Sequence, residues 1–420
     1  MSENLQKARQ LDSQDPLASF RDQFHLPLHQ GKPQIYFVGN SLGLQPKRTS
    51  EYVGQELEAW QTLGVRGHFE GAHPWMPYHE FLTETMADLV GGKSEEVVMM
   101  NSLTANLHLM MATFYRPTAD RNKILLEAHS FPSDFQAVQS QIKFHGYDPK
   151  QSMVLVRPEA DDQPISHATI VEAIEQNHNE LALILLPGVQ YYTGQVFDIQ
   201  AITKVAKKYS IPVGFDLAHA AGNIQLKLHD WGVDFAVWCS YKYLNSGPGS
   251  IGGCFVHQDH ARQTDKVRFA GWWGHDKATR FQMKNDFNPI PTAEGWQLSN
   301  PPILSLAAIR ASLDVFKEAG GVEPLVAKAK LQTAFFVDCL QEKVGDRVEV
   351  ITPSERGCQL SLKVVLRDLA GKEVHRRLEA AGAETDWREP NVIRVAPVPL
   401  YNTFEEIHLF VELLSECIDA

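Results

Sequence analysis

Between about residues 95 and 256 the chain alternates short β-rich runs with helical patterns, and this alternation constrains the fold more than any other feature. The candidate strands are Glu96–Met100, Lys123–Leu126, Met153–Val156, Leu183–Leu186, Pro212–Phe215 and Phe235–Cys239. Between two of them, AITKVAKKYS puts Ile202, Val205, Ala206 and Tyr209 on one helical face. Parallel neighbours need a crossover, so strands separated by helices predict an α/β fold: a mainly parallel sheet with helices on both faces. Such sheets bind ligands at the carboxyl ends of their strands. The polar residues that follow each strand are therefore the ones to inspect.

The C-terminal part changes character. SNPPILSLAAIRASLDVFKEAG opens on a Pro-Pro break and runs into an amphipathic helix, and VEVIT, CQLSLKVV and NVIRVAPV follow with a helix among them. A chain of 420 residues is too long for one core, so two domains are expected. Residues 66–305 read as the large domain and 306–420 as a smaller α+β domain that the N-terminal segment, 1–65, joins.

Composition narrows the function. With 44% hydrophobic and 21% charged residues the chain is an ordinary folded one. Its net charge of −12 argues against nucleic-acid or anionic-membrane partners, which need a dense basic face. The polar N-terminus, MSENLQKARQLDSQD, lacks the apolar run of a signal peptide, and no stretch is long and apolar enough to span a bilayer. The cysteines (Cys239, Cys254, Cys339, Cys358, Cys417) are odd in number and scattered, which forms neither a disulfide framework nor a zinc pattern. A cytoplasmic location follows as the expectation.

The chemistry concentrates at two strand ends. VGF ends at Asp216, in DLAH, and DFAVWCS ends in Tyr241-Lys242-Tyr243. The separation, 242 − 216 = 26 residues, is one strand–loop–strand step, so acid and lysine lie side by side at one sheet edge. Such a pair suits pyridoxal phosphate: the lysine amine carries the cofactor as a Schiff base and the carboxylate keeps the pyridine nitrogen protonated. Taken singly, Asp216 would read as a helix cap and Lys242 as a solvated loop residue. In NSLTAN, the amides of Leu103 and Thr104 and the Thr104 hydroxyl open a helix, a ready site for a phosphate, although an ordinary cap has the same sequence. HSFPSDF, after KILL, offers Phe131 to stack on a flat ring and Asp134 as a polar neighbour; core packing is the plainer reading of Phe131.

Other motifs carry less. Gly247–Gly252 matches GxGxxG, but IGGCFVH after it reads as a strand, not a helix, and no acid sits at the required distance. His257 and His260 lack a third metal ligand, and no metal is expected. Cys358, in RGCQLS, reads as a buried thiol in a strand rather than a nucleophile.

The residues match more than a cofactor class. YFVGNSLGLQPK, YYTGQVFDI, DLAHAAGN, SYKYLN, GWWGH, SNPP and IRVAPVPLYN together make the chain resemble the kynureninases, fold-type-I pyridoxal-phosphate enzymes, over nearly its whole length. The resemblance implies that Lys242 is the cofactor lysine, that Asp216 pairs with the ring nitrogen and that His219 lies beside the ring. It implies that Leu103, Thr104, Tyr241 and Trp272 hold the phosphate side, with Phe131, Ser133 and Asp134 near the ring. Asn300 would reach in from the other subunit of a homodimer, and residues 1–65 would contribute to the dimer and substrate site. Arg394 would take the substrate carboxylate through its bidentate fork, while His68, Ser41, Trp273 and Asn300 would face the aryl end. Tyr241 is left with two roles, proton donor or phosphate ligand. Some relatives carry a hydroxyl residue where this chain has Pro187, which is therefore left out of the site.

The implied reaction is hydrolysis of L-kynurenine or 3-hydroxy-L-kynurenine to L-alanine and anthranilate or 3-hydroxyanthranilate, in tryptophan breakdown or on the way to NAD. The nearest rival is another enzyme of the same fold, a cysteine desulfurase or aminotransferase. Desulfurases usually carry a His before the lysine, where this chain has Tyr241. A non-catalytic cofactor-binding protein is a further alternative, against which Lys242, Asp216 and Arg394 argue together.

Overall fold

A computed structural model of the chain describes residues 2–160 and 163–420. Seven strands form the large sheet: β1 Val97–Met99, β2 Lys123–Glu127, β3 Met153–Val156, β4 Leu181–Pro187, β5 Val213–Asp216, β6 Phe235–Trp238 and β7 Gly253–Val256. Their order is β1-β7-β6-β5-β4-β2-β3; β7 runs antiparallel to both neighbours and all the others are mutually parallel. Alternate strand residues feed two cores. Leu125, Ile184, Leu186, Val213 and Phe215 face one, and Ile124, Leu126, Leu183, Leu185 and Val237 the other. Burial on both faces is why these strands read as unbroken apolar runs.

The expected strands are all present, and their limits shift in an instructive way. β2 and β5 run one residue further than expected, so Glu127 and Asp216 are the last residues of their strands rather than parts of the loops beyond. The helix after Asp198 spans Ile199–Lys208 and buries Ile202 and Ala206 as its periodicity requires.

The second sheet has strands β8 Val348–Val350, β9 Leu360–Val364, β10 Asp386–Arg388 and β11 Val392–Val395, in the order β8-β9-β11-β10, all antiparallel. It packs with Phe335, Phe336, Leu340, Phe410 and Leu414, and takes Ala8 and Phe37 from the N-terminal segment. Ile35–Tyr36 also pairs in parallel with Ala383–Glu384. The helix Ile303–Glu318, which follows the Pro-Pro break, puts Leu306, Ile309 and Phe316 into the large core.

β5 and β6 approach so closely that Gly214 leaves no room for a side chain. Gly214 stands opposite Phe235, and a Cβ there would lie 2.0 Å from the buried Phe235 ring. Overpacking of this kind costs about 1–3 kcal/mol. Gly214→Ala should lower the urea midpoint accordingly; an unchanged midpoint would show that the two strands have slack.

Candidate active site

Five polypeptide segments meet at the carboxyl edge of the large sheet, around a cleft of about 120 Å³. β5 delivers Asp216, and the loop after β6 delivers Tyr241 and Lys242. Asp216 is fixed by the turn it starts, accepting the Ala218 amide at 2.6 Å. That turn brings round His219, whose Nε2 lies 3.0 Å from Lys242 Nζ. On the opposite wall, the helix Leu103–Phe114 and the helix Pro132–Phe144 start side by side, with the Thr104 and Ser133 hydroxyls 2.8 Å apart. Phe131 leans over the entrance, 41% exposed, its ring centre 5.8 Å from Lys242 Nζ.

The charges explain one another. Burial, followed by the positive charge of Lys242, holds His219 well below the usual imidazole range, so it is neutral. Its Nε2 then accepts from Lys242 and its proton sits on Nδ1, which is buried without a partner. Asp134 and Asp216 are hydrogen-bonded to each other, and two buried carboxylates cannot both ionise at that range. Burial and then the Asp216 charge hold Asp134 well above the usual range, so Asp134 keeps the shared proton and donates it to Asp216. Burial pushes the Tyr241 hydroxyl up, as does the Cys239 thiol it meets.

Eleven residues were expected around the cofactor, and the cleft gathers nine of them: Leu103, Thr104, Phe131, Ser133, Asp134, Asp216, His219, Tyr241 and Lys242. Trp272 and Asn300 do not line it and are exposed in the single chain. Arg394 is 1% exposed on β11 and stands behind Tyr191, giving Nη1 to the Tyr191 carbonyl at 2.8 Å and Nη2 to Asp386 at 2.6 Å. Ser41 lies with Arg394, not with His68: its hydroxyl bonds Asp386 and accepts from Arg394 Nη2 at 3.3 Å. Burial pushes Asp386 up, but Arg394, Ser41 and Arg388 outweigh it and hold the carboxyl below its usual range. His68 sits edge-on to Trp75 and begins a chain of ring contacts through Phe69, Phe281 and Trp272 to the buried Trp273.

Pro187, excluded on sequence grounds, does line the cleft, because it ends β4 opposite Asp216. Glu127 and Tyr191 line it too. Glu127 was legible as the polar residue that ends KILL; nothing in the sequence singled out Tyr191 beyond its place in YYTGQ. Cys358 is buried as expected, but in a bend just before β9 rather than within a strand, and burial pushes its thiol up to about 12. The glycine motif at Gly247–Gly252 leads into β7. His260 bonds Asp234 at 2.6 Å, while His257 lies with Glu96 and His229, whose ligand atoms fall within 4.8 Å of one another.

These residues fit pyridoxal phosphate. Ser102 makes no side-chain cap on the helix Leu103–Phe114, so the first amides face the cleft without a partner from the chain, a place for the phosphate. Gly252 keeps those amides open, since a Cβ there would lie 3.1 Å from the Leu103 nitrogen. The Asp134–Asp216 pair, buried and one proton short of neutral, suits a ring N–H, and Lys242 Nζ stands ready to bind a carbonyl carbon.

Comparison with known proteins agrees. Residues 325–414 match the family model of the kynureninase C-terminal domain, and residues 76–232 that of the DegT/DnrJ/EryC1/StrS aminotransferase family. The chain is 52% identical to a kynureninase of Koribacter versatilis over 409 residues, 96% of each chain. It is also 52% identical to one of Myxococcus xanthus, covering 97% of this chain and 96% of the other. Among solved structures, a cysteine desulfurase of Escherichia coli superposes with a TM-score of 0.77 at 15% identity, covering 96% of this chain and 98% of the other. One from Thermococcus onnurineus gives 0.74 at 17%, covering 92% and 95%. At such identities the likeness is one of fold.

Burial pushes the Glu127 carboxyl up to about 7, against a donor contact from Gln190. A carboxyl whose pKa rises on folding binds more protons folded than unfolded, so its contribution to stability falls as pH climbs through that interval. Glu127→Gln should therefore stabilise the cofactor-free protein above pH 7, by up to about 3 kcal/mol. The advantage should vanish below about pH 4.5. Denaturation midpoints across that range decide it; a difference independent of pH would show that Glu127 stays charged.

Proposed function

The chain belongs to the kynureninase family, and on that premise we propose how its residues divide the work. It is a pyridoxal-phosphate-dependent hydrolase of the bond between Cβ and Cγ of L-kynurenine or 3-hydroxy-L-kynurenine, with L-alanine and anthranilate or 3-hydroxyanthranilate as products. The observation that carries the assignment of roles is Lys242, His219 and the Asp134–Asp216 pair at one sheet edge, facing an uncapped helix N-terminus.

When bound, the cofactor supplies a protonated ring that takes up the electron pair left on carbon. Lys242 Nζ would hold it by its carbonyl carbon, and the same amine would move the substrate α-proton. Asp216 receives the ring N–H, and the proton donated by Asp134 steadies Asp216 in that task. The Leu103 and Thr104 amides, with the Thr104 and Ser133 hydroxyls, hold the phosphate. Neutral His219 would lie beside the ring without adding charge, and Phe131 would cover a face. Tyr241 serves as proton donor or phosphate ligand. Arg394 binds the substrate α-carboxylate. One water is consumed: its hydroxyl joins the aryl carbonyl to form the acid, and its hydrogen completes alanine.

We infer a homodimer. Phe69, Phe281 and Trp272 are 65%, 55% and 43% exposed and form one strip, with ring centres 6.4 and 5.4 Å apart. Covering that strip with a second copy removes it from water and offers Trp272 and Asn300 a neighbour's cleft, since they miss their own. In place of the boundary expected at residues 305/306 we propose one within the helix Glu323–Lys343, since its Leu325 and Ala329 join the large core and its Phe335 and Phe336 the small one. Among the described residues no helix is long and apolar enough to cross a membrane. Free, buried cysteines fit the cytoplasm, and the products fit tryptophan breakdown or a supply line to NAD.

Lys242→Ala should abolish turnover, read by anthranilate fluorescence, together with the absorbance of the bound cofactor. A yellow, active variant would sink the assignment. The enzyme should also accept, and prefer, the 3-hydroxylated substrate, because His68 and Asn300 give a ring hydroxyl polar partners; leaving it unpaired costs about 1–3 kcal/mol. His68→Phe and Asn300→Thr should each shift the ratio of kcat/KM between the two substrates toward L-kynurenine. A ratio unmoved by both means that neither side chain reads the hydroxyl.

A further inference from the structure

Beyond β4 the chain doubles back over Gln190–Gln195: the Gly194 amide donates to Gln190 O at 3.0 Å and the Gln190 amide to Gln195 O at 2.8 Å. The Gln190 side chain, 4% exposed, fills the inside of this turn. Its Oε1 accepts from the Tyr192 and Thr193 amides at 2.6 and 2.7 Å and from the Thr193 hydroxyl at 3.2 Å. Its Nε2 donates to Glu127 at 3.4 Å and to the His129 carbonyl at 3.3 Å, tying the turn to the end of β2 in the cofactor cleft.

With its amides drawn inward, the turn presents its carbonyls outward, and the small domain takes them. Tyr191 O accepts from Arg394 Nη1 at 2.8 Å and from Gln359 at 3.1 Å, and Tyr192 O accepts from Ser361 at 2.5 Å. Arg394 Nη2 is occupied by Asp386 and Ser41, and its buried Nε has no partner. The guanidinium is thus clamped between the turn on one side and Asp386 on the other. Its orientation depends on where the Tyr191 carbonyl points.

We propose that Gln190 is the positioning residue for capture of the substrate carboxylate: it fixes the turn, the turn fixes the Tyr191 carbonyl, and that carbonyl orients Arg394. The proposal rests on the reading of Arg394 as the carboxylate-binding residue. The physical reason is preorganisation. A planar fork pays off only when it is already aimed, and a long side chain left to search loses affinity without losing charge. Two adjacent buried amides also need an acceptor, which an apolar side chain at position 190 could not supply.

The test uses the holoenzyme carrying Gln190→Ala, Gln190→Glu or Arg394→Lys. Each is assayed for kcat and KM on L-kynurenine, for inhibition by the decarboxylated amine of the substrate, and for cofactor absorbance. Gln190→Ala should raise KM about tenfold or more while kcat stays within about threefold, since the loss is one of orientation in binding. Inhibition by the decarboxylated amine and the cofactor spectrum should not change. Gln190→Glu keeps the acceptor for the two amides but sets a carboxyl against Glu127. It is therefore assayed below about pH 7, where Glu127 can hold a proton between the two. There it should show a smaller rise of the same kind, which serves if the alanine variant does not fold. If either soluble variant leaves KM unchanged, or weakens the amine as much as the amino acid, or loses the cofactor, Gln190 is only structural and the proposal falls. If Arg394→Lys also fails to separate the amino acid from the amine, it is the reading of Arg394 that fails.

Discussion

In the role proposed for Lys242, a lysine that must exchange its bond to a cofactor for a free amine, and then carry a proton, cannot be locked to a carboxylate. The fold solves this by separating the charges at the sheet edge. The partner at hydrogen-bond distance from Lys242 Nζ is the imidazole of His219, which burial and the lysine's own charge keep neutral. The nearby negative charge belongs to Asp216, already committed to the Ala218 amide and to the proton of Asp134. Asp216 therefore balances the cleft electrostatically without capturing the amine, which suits the ring-nitrogen role proposed for it. Everything else in the large domain serves to put two adjacent strand ends, β5 and β6, in that relation. The absence of a side chain at Gly214 lets them approach.

The proposed substrate end is built on a different principle. Arg394 comes from β11 and is aimed by a loop of the large domain on one side and by Asp386 and Ser41 on the other. Ser41 lies in the N-terminal segment, whose Phe37 is packed in the small-domain core and whose Leu44 is packed in the large one. The segment is thus anchored in both units. A site assembled this way depends on the two domains being docked, whereas the cofactor end does not.

How much of this could be read beforehand follows the range of the interactions. Asp216, Lys242, Leu103 and Thr104 follow strands, and strand ends are visible as apolar runs giving way to polar residues. Glu127 was within reach of the same rule, yet the expected strand stopped at Leu126. Asp386 carried no signal. It lies on a three-residue strand, β10, that no apolar run announced, and its importance comes from pairing with Arg394 across β10 and β11. Gln190 was hidden for a related reason: a glutamine that folds its own turn looks like any polar loop residue until its partners, Glu127 and His129, arrive from another strand. Ser41 was found by resemblance, but resemblance placed it near the aryl end and the structure puts it on the arginine.

The fold is shared with the desulfurases that superpose on this chain, so the fold alone does not decide the reaction. Four local features bear on it. The residue before the lysine is Tyr241, whose hydroxyl is held protonated by burial, where an imidazole would change the proton inventory of the cleft. A desulfurase must bring a reactive thiol to its substrate, whereas burial pushes Cys358 up to about 12 and its backbone amide is tied to Asn223 at 2.9 Å. A thiol in that state is neither ionised nor able to travel. A carbon–carbon hydrolase needs something else, a fixed cation for the α-carboxylate and a flat enclosure for an aryl ketone. The clamped Arg394, proposed above as that cation, would answer the first requirement. The run of rings from His68 to Trp273 would answer the other in the homodimer proposed above.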